Sequence, residues 1–295
     1  MKRSLSNEGE SGGDVKRANT AESPPSTAAE EKAEIKDSWV LGSAHKQGER
    51  DEMQDRETIV RDFDCGVSNL KRSSLVCLFD GHAGVRAAEF CKNKFHVRFQ
   101  AACRKHGLGE LSVLEKSMKK IFTETYKTVD EEFLAEARKL KPAAKGRFDG
   151  HHSVLPERRD LRGRTQIVCR RSGDKLLPFQ LTADHDPKNF EERQRIQAFG
   201  DGQLKAHGLI CTPAIKKLTL TSDDLFLILA CDGLWKVFSS EEAIAFVRQR
   251  FDEKKKTADV RAIANEIAES LAAEAVLRKC GDNVSVILVL YLLRT

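Results

Sequence analysis

No apolar run in this 295-residue sequence approaches the roughly twenty residues that span a bilayer, and no hydrophobic segment follows the basic residues of the opening MKRSLSNEGESGGDVKR. Neither membrane insertion nor secretion is expected. Aromatic residues make up only 6%, and 45 acidic side chains nearly cancel 50 basic ones, leaving +5. That balance lacks the concentrated positive charge of a nucleic-acid binder. The eight cysteines (Cys65, Cys77, Cys91, Cys103, Cys169, Cys211, Cys231 and Cys280) include no CxxC pair, and several stand inside apolar runs such as LVCLF and LILACDG. They read as reduced core thiols of a cytoplasmic or nuclear protein, not as bridges or zinc ligands. Large apolar residues are almost missing from residues 1–36, which are rich in Ser, Glu, Gly, Ala and Pro. This segment cannot bury enough surface to offset chain entropy and is expected to be a disordered tail. Its Lys2-Arg3 and Lys16-Arg17 pairs have the form of a split nuclear-import signal, although short basic pairs are common in solvated tails.

The remainder, residues 37–295, has an ordinary share of hydrophobic residues and reads as one domain of interleaved strands and helices. SLVCLFD (74–80) is β-like, and helical stretches follow across roughly 84–104 and 113–138, the second with Val113, Leu114, Met118, Ile121 and Phe122 at helical spacing. DLFLILACDG (224–233) is expected to be a buried strand. Ser239-Ser240-Glu241-Glu242 signals a helix start, and a further helix near 257–278 leads into a final strand NVSVILVLYL.

Three aspartates interrupt or flank these apolar runs: Asp80 in LFDGHAG, Asp232 in LACDGLW and Asp282 in CGDNVSV. A carboxylate where a buried strand meets its loop is costly unless a cation or donors compensate it. Any one alone reads as a turn or cap residue; three together invite a shared metal. All-oxygen ligands favour Mg²⁺ or Mn²⁺ over zinc, and the glycines after Asp80 and Asp232 let backbone approach an ion. An upstream RDEMQD (50–55) adds a basic residue and further carboxylates.

Taken in order, RDEMQD, LFDGHAG, AFGDG, LILACDGLWKVFSSEEA and GDNVSVILV resemble the successive motifs of the protein phosphatase 2C family. With KNFEERQRIQ and the VDEEFL helix, the chain is most similar to the branch that contains the integrin-linked kinase-associated phosphatase. The resemblance implies an α+β fold, a four-layer sandwich of two antiparallel β-sheets flanked by helices. It implies hydrolysis of phosphoserine and phosphothreonine in proteins by a metal-activated water, with two Mn²⁺ or Mg²⁺ ions about 3.5–4 Å apart. By resemblance Asp80, Gly81, Asp232 and Asp282 hold metal, Arg50 binds substrate phosphate, His82 is the general acid for the leaving oxygen, and Asp55 supports the attacking water. The implied partners are phosphoprotein substrates and kinase-signalling components, with neither nucleic acid nor membrane, for a monomer. His82 and Arg50 also have plain readings as a turn histidine and a surface cation, and Cys231 and Trp235 read as packing residues.

Two core segments depart from the family. Where it has a Gly-Ser/Thr-Thr-Ala strand and a Gly-Asp-Ser-Arg hairpin, this chain reads GRFDGHHSVLPERRDLRGRTQIVCRR, with neither period-2 alternation nor a helical stripe. Residues 147–166 are therefore expected to be atypical and a sheet element lost. Gly150-His151-His152-Ser153, read one nucleotide later, can encode Gly-Thr-Thr-Ala, which points to a frame shift or alternative splice. A deletion is expected near 197/198, where RIQ runs directly into AFGDG; Asp201 survives without its hairpin. The alternative function is thus a catalytically impaired variant that binds phosphoproteins or partners. A third reading, nucleic-acid binding through the Arg-rich segment, lacks any motif.

Overall fold

The computed structural model describes residues 39–68, 70, 73–81, 84–139, 166–181, 213, 215–254 and 259–292. The expected tail, most of the atypical segment, the junction at 197/198, Asp201 and His82 lie outside the described residues.

Among the described residues, seven strands and five helices follow one another along the chain. They are β1 (Trp39–Lys46), β2 (Arg56–Val60), β3 (Leu75–Phe79), α1 (Arg86–Gly107), α2 (Leu111–Lys139), β4 (Gln166–Ser172) and β5 (Lys175–Gln180), followed by β6 (Asp224–Ala230), α3 (Asp232–Trp235), α4 (Ser240–Lys254), α5 (Val260–Leu277) and β7 (Val284–Tyr291). One antiparallel sheet has the order β1-β7-β6-β4-β5, and β2 and β3 form a second, antiparallel pair.

The period of two along a strand decides which layer each residue enters. In β7, Val284, Val286, Leu288 and Leu290 pack with Ile263, Ile267 and Leu271 of α5, whereas Ile287 and Val289 face Ile59, Val76 and Leu78 of the second sheet. With apolar layers on both faces, β7 needs no polar alternation, and seven of its eight residues are buried. β3 divides the same way: Val76 and Leu78 point to the first sheet, and Leu75, Cys77 and Phe79 to α1 and α2. That outer interface is aromatic, with Phe95 stacked on Phe99 at 6.0 Å and edge-on to Tyr126 at 5.0 Å. The layers therefore run helices, five-stranded sheet, two-stranded sheet, helices, as the α+β sandwich requires.

Two local expectations are corrected. The end of the Arg-rich stretch does make an inner strand: β4 lies between β6 and β5, with Ile167, Val168 and Cys169 buried. Three consecutive apolar residues suffice there because the charge that follows is neutralised. Arg170 makes a two-pronged bond to the buried Asp224, at 2.7 and 3.0 Å. The strand expected over 224–233 stops at Ala230, and Asp232 opens the single turn α3.

Candidate active site

The first sheet presents the end of β1, the start of β7 and the end of β6 on one side, since Lys46 opposes Val284 and Ala230 opposes Val286. The second sheet adds the start of β2 and the end of β3. Arg50, Asp55, Asp80, Gly81, Asp232 and Asp282 all sit in the connections at that edge.

Asn283 ties the segment before β2 to β7. Its amide nitrogen donates to the carbonyls of Gln47 (2.7 Å) and Glu52 (3.0 Å), and its Oδ1 accepts from the Gln54 N–H (2.8 Å). Gly81 and Gly233 permit the close approaches: a Cβ on Gly81 would lie 2.2 Å from the Gln54 carbonyl oxygen, and one on Gly233 2.0 Å from that of Asn283.

Asp55 is 4% exposed and accepts a 2.7 Å bond from the Ser285 hydroxyl. On the other side of Ser285 the His45 Nδ1 lies 2.9 Å from its hydroxyl oxygen, and His45 Nε2 lies 3.2 Å from Glu57. Burial, then the charges of Asp80 and Asp282, push the Asp55 carboxyl up to about 6 against the bonds from Ser285 and Cys231. Burial, followed by Asp55 and Asp80, also raises the Cys231 thiol, so Cys231 packs as an inert neutral side chain.

Arg50 grips Asp282 with Nε and an η nitrogen, both at 2.9 Å. Lys236 Nζ bridges two carboxylates, 2.5 Å from Asp282 Oδ2 and 3.0 Å from Asp232 Oδ2. Burial alone would raise the Asp282 carboxyl, but Lys236, the Asn283 N–H and Arg50 outweigh it and hold it below the ordinary range.

The donor chemistry fits a hard divalent cation. The carboxylates at this edge offer only oxygens, like charges crowd Asp55, and Asp232 and Asp282 already share one positive charge. Among the described residues, no group of three or more His, Cys, Asp or Glu side chains is close enough to hold a metal together. The shared charge belongs to Lys236, which sequence reasoning passed over although its spacing of four from Asp232 places both on one face of a helical turn. Asn283 was also missed, and its role as a loop anchor left no signal in the sequence.

A family profile described as Protein phosphatase 2C matches residues 39–149 and 197–284. The human protein named Integrin-linked kinase-associated serine/threonine phosphatase 2C is 35% identical, the match covering 83% of this chain and 71% of the relative. The Bos taurus protein of the same name is 34% identical over 97% of this chain and 86% of its own length. Among solved structures, a serine-threonine phosphatase 2C from Toxoplasma gondii superposes with a TM-score of 0.63 at 18% identity, covering 85% of this chain and 94% of that one; this bears on the fold.

Proposed function

The chain belongs to the protein phosphatase 2C family of serine/threonine phosphatases, and on that premise we propose that it hydrolyses phosphoserine and phosphothreonine in proteins with Mn²⁺ or Mg²⁺ held by Asp80, Gly81, Asp232 and Asp282. The observation that carries the reading is the convergence of carboxylates from four separate connections on one edge of both sheets, with Asp55 feeling the charges of Asp80 and Asp282. Such ions, when bound, activate water and neutralise charge on the transferring phosphoryl group.

The chain's own residues would bind, orient and handle protons. Arg50 presents a guanidinium fork to a phosphate once it exchanges its hold on Asp282. Asp55, fixed by Ser285, orients the attacking water as an acceptor. His82 stands next in sequence to Gly81, where its proton would serve the leaving serine or threonine oxygen.

Relatives named for association with integrin-linked kinase support kinase-signalling components as partners and phosphoproteins as substrates. The proposed compartments are cytoplasm and nucleus, for a monomer. The test is phosphate release from a phosphothreonine peptide with Mn²⁺ or with EDTA, by the wild type and Arg50→Ala. Removal of one charged phosphate contact is expected to raise KM about tenfold or more. Release that survives EDTA, or a KM that ignores Arg50, would count against the assignment.

A second reading, a non-catalytic variant that binds phosphoproteins, has one observation in its favour: the family match stops at 149 and resumes at 197. A folded wild type that releases no phosphate with either metal would select it.

A further inference from the structure

Three observations define what Lys236 does beside Asp232 and Asp282. Its backbone is fixed, because its N–H bonds to the Asp232 carbonyl at 2.9 Å and closes the turn α3. Its ammonium reaches two carboxylates at once, those of Asp232 and Asp282. Its side chain remains 38% exposed, whereas those of Asp232 and Asp282 are 7% and 16% exposed, so the lysine has a way out to water that the aspartates lack.

We propose that Lys236 is a tethered cation that competes with a divalent metal for Asp232 and Asp282, so that metal loading requires its ammonium to swing out. The proposal rests on the reading of those two aspartates as metal ligands.

Two nearly buried carboxylates side by side repel, and an internal cation removes that cost in the metal-free chain. The attachment is two-pronged: the ammonium lies 2.5 Å from Asp282 Oδ2 and 3.0 Å from Asp232 Oδ2. An incoming ion carries twice the charge and wins the carboxylate oxygens when its concentration suffices. Until then the docked lysine lowers the apparent affinity by the fraction of time the site is closed. A lysine docked about nine-tenths of the time weakens binding about tenfold. Arg50 cannot replace it, because its fork engages Asp282 alone. The charge is thus delivered by a long flexible stem, which suits exchange better than a rigid planar group.

The test is Mn²⁺ titration of the full chain by calorimetry, with melting curves in EDTA and in saturating Mn²⁺. Lys236→Met is expected to bind Mn²⁺ about tenfold tighter than wild type. It should also melt lower in EDTA and gain more from Mn²⁺. Lys236→Arg, which keeps the charge on a group less suited to exchange, should bind Mn²⁺ no tighter than wild type; Lys236→Gln supplies a second neutral side chain if the Met variant does not fold. Asp232→Asn separates the two levels of the argument. If wild type binds Mn²⁺, Asp232→Asn loses it and the folded neutral variants bind no tighter, the lysine proposal is wrong and the metal reading stands. If neither wild type nor the neutral variants bind, the metal reading fails and the proposal with it. Binding gained only in the neutral variants would be the clearest support.

Discussion

Asp224 has no exposed surface, and its charge is held by Arg170 and by the Thr221 N–H at 2.8 Å. Burial pushes its carboxyl up, but the bonds from Arg170 and Thr221 outweigh burial and hold it below the ordinary range. Stability from such a group is fully present above the unfolded carboxylate value and is lost as pH falls through the lowered folded one. Asp224→Asn should cost about 2 kcal/mol near neutral pH, the scale of hydrogen bonds to a charged group. Urea unfolding across pH checks this, and a difference that does not shrink in acid would refute it. Residues of the Asp224 kind are invisible in sequence, because an aspartate at a strand start reads as a turn residue. The aspartates gathered at the loop edge could be singled out because each abutted an apolar run and fell in motif order. Lys236 and Asn283 could not, since their meaning depends on which loops meet them.

At the scale of the element, local signals carried well where both partners of an interaction lie within one turn. The helix start at Ser239 is a reciprocal cap: the Glu242 N–H donates to the Ser239 hydroxyl at 3.1 Å, and the Ser239 N–H donates to the Glu242 carboxylate at 2.7 Å. Ser239→Ala is expected to lower stability by about 1 kcal/mol with α4 still formed. A thermal melt unchanged by the substitution would show that packing of Ala243, Ile244 and Val247 alone sets that end. Elements decided by distant charges were harder to foresee. β4 looked unfit for an inner position until Arg170 met Asp224, 54 residues away. The strand ending in CDG was read too long because periodicity does not report where a chain turns for a site; Asp232 begins a helical turn instead.

Across the whole molecule, the two sheets and their flanking helices form one layered scaffold whose loops meet at one edge, as the order of motifs implied. The second sheet holds two strands among the described residues, and all but the first three residues of the segment expected to be atypical, 147–166, fall in the break in the family match between 149 and 197. Composition could not foretell whether that break spares catalysis, because chemistry resides in the edge loops and stability in the layers. On the proposed function, the retained aspartates make a working metal-dependent phosphatase. Phosphate release from a phosphothreonine peptide in Mn²⁺, measured side by side for wild type and Asp80→Asn, tests it most directly. Several kcal/mol of metal-borne stabilisation corresponds to a loss of about a hundredfold or more in the variant. Equal release from both folded proteins, or none from the wild type, would contradict the claim.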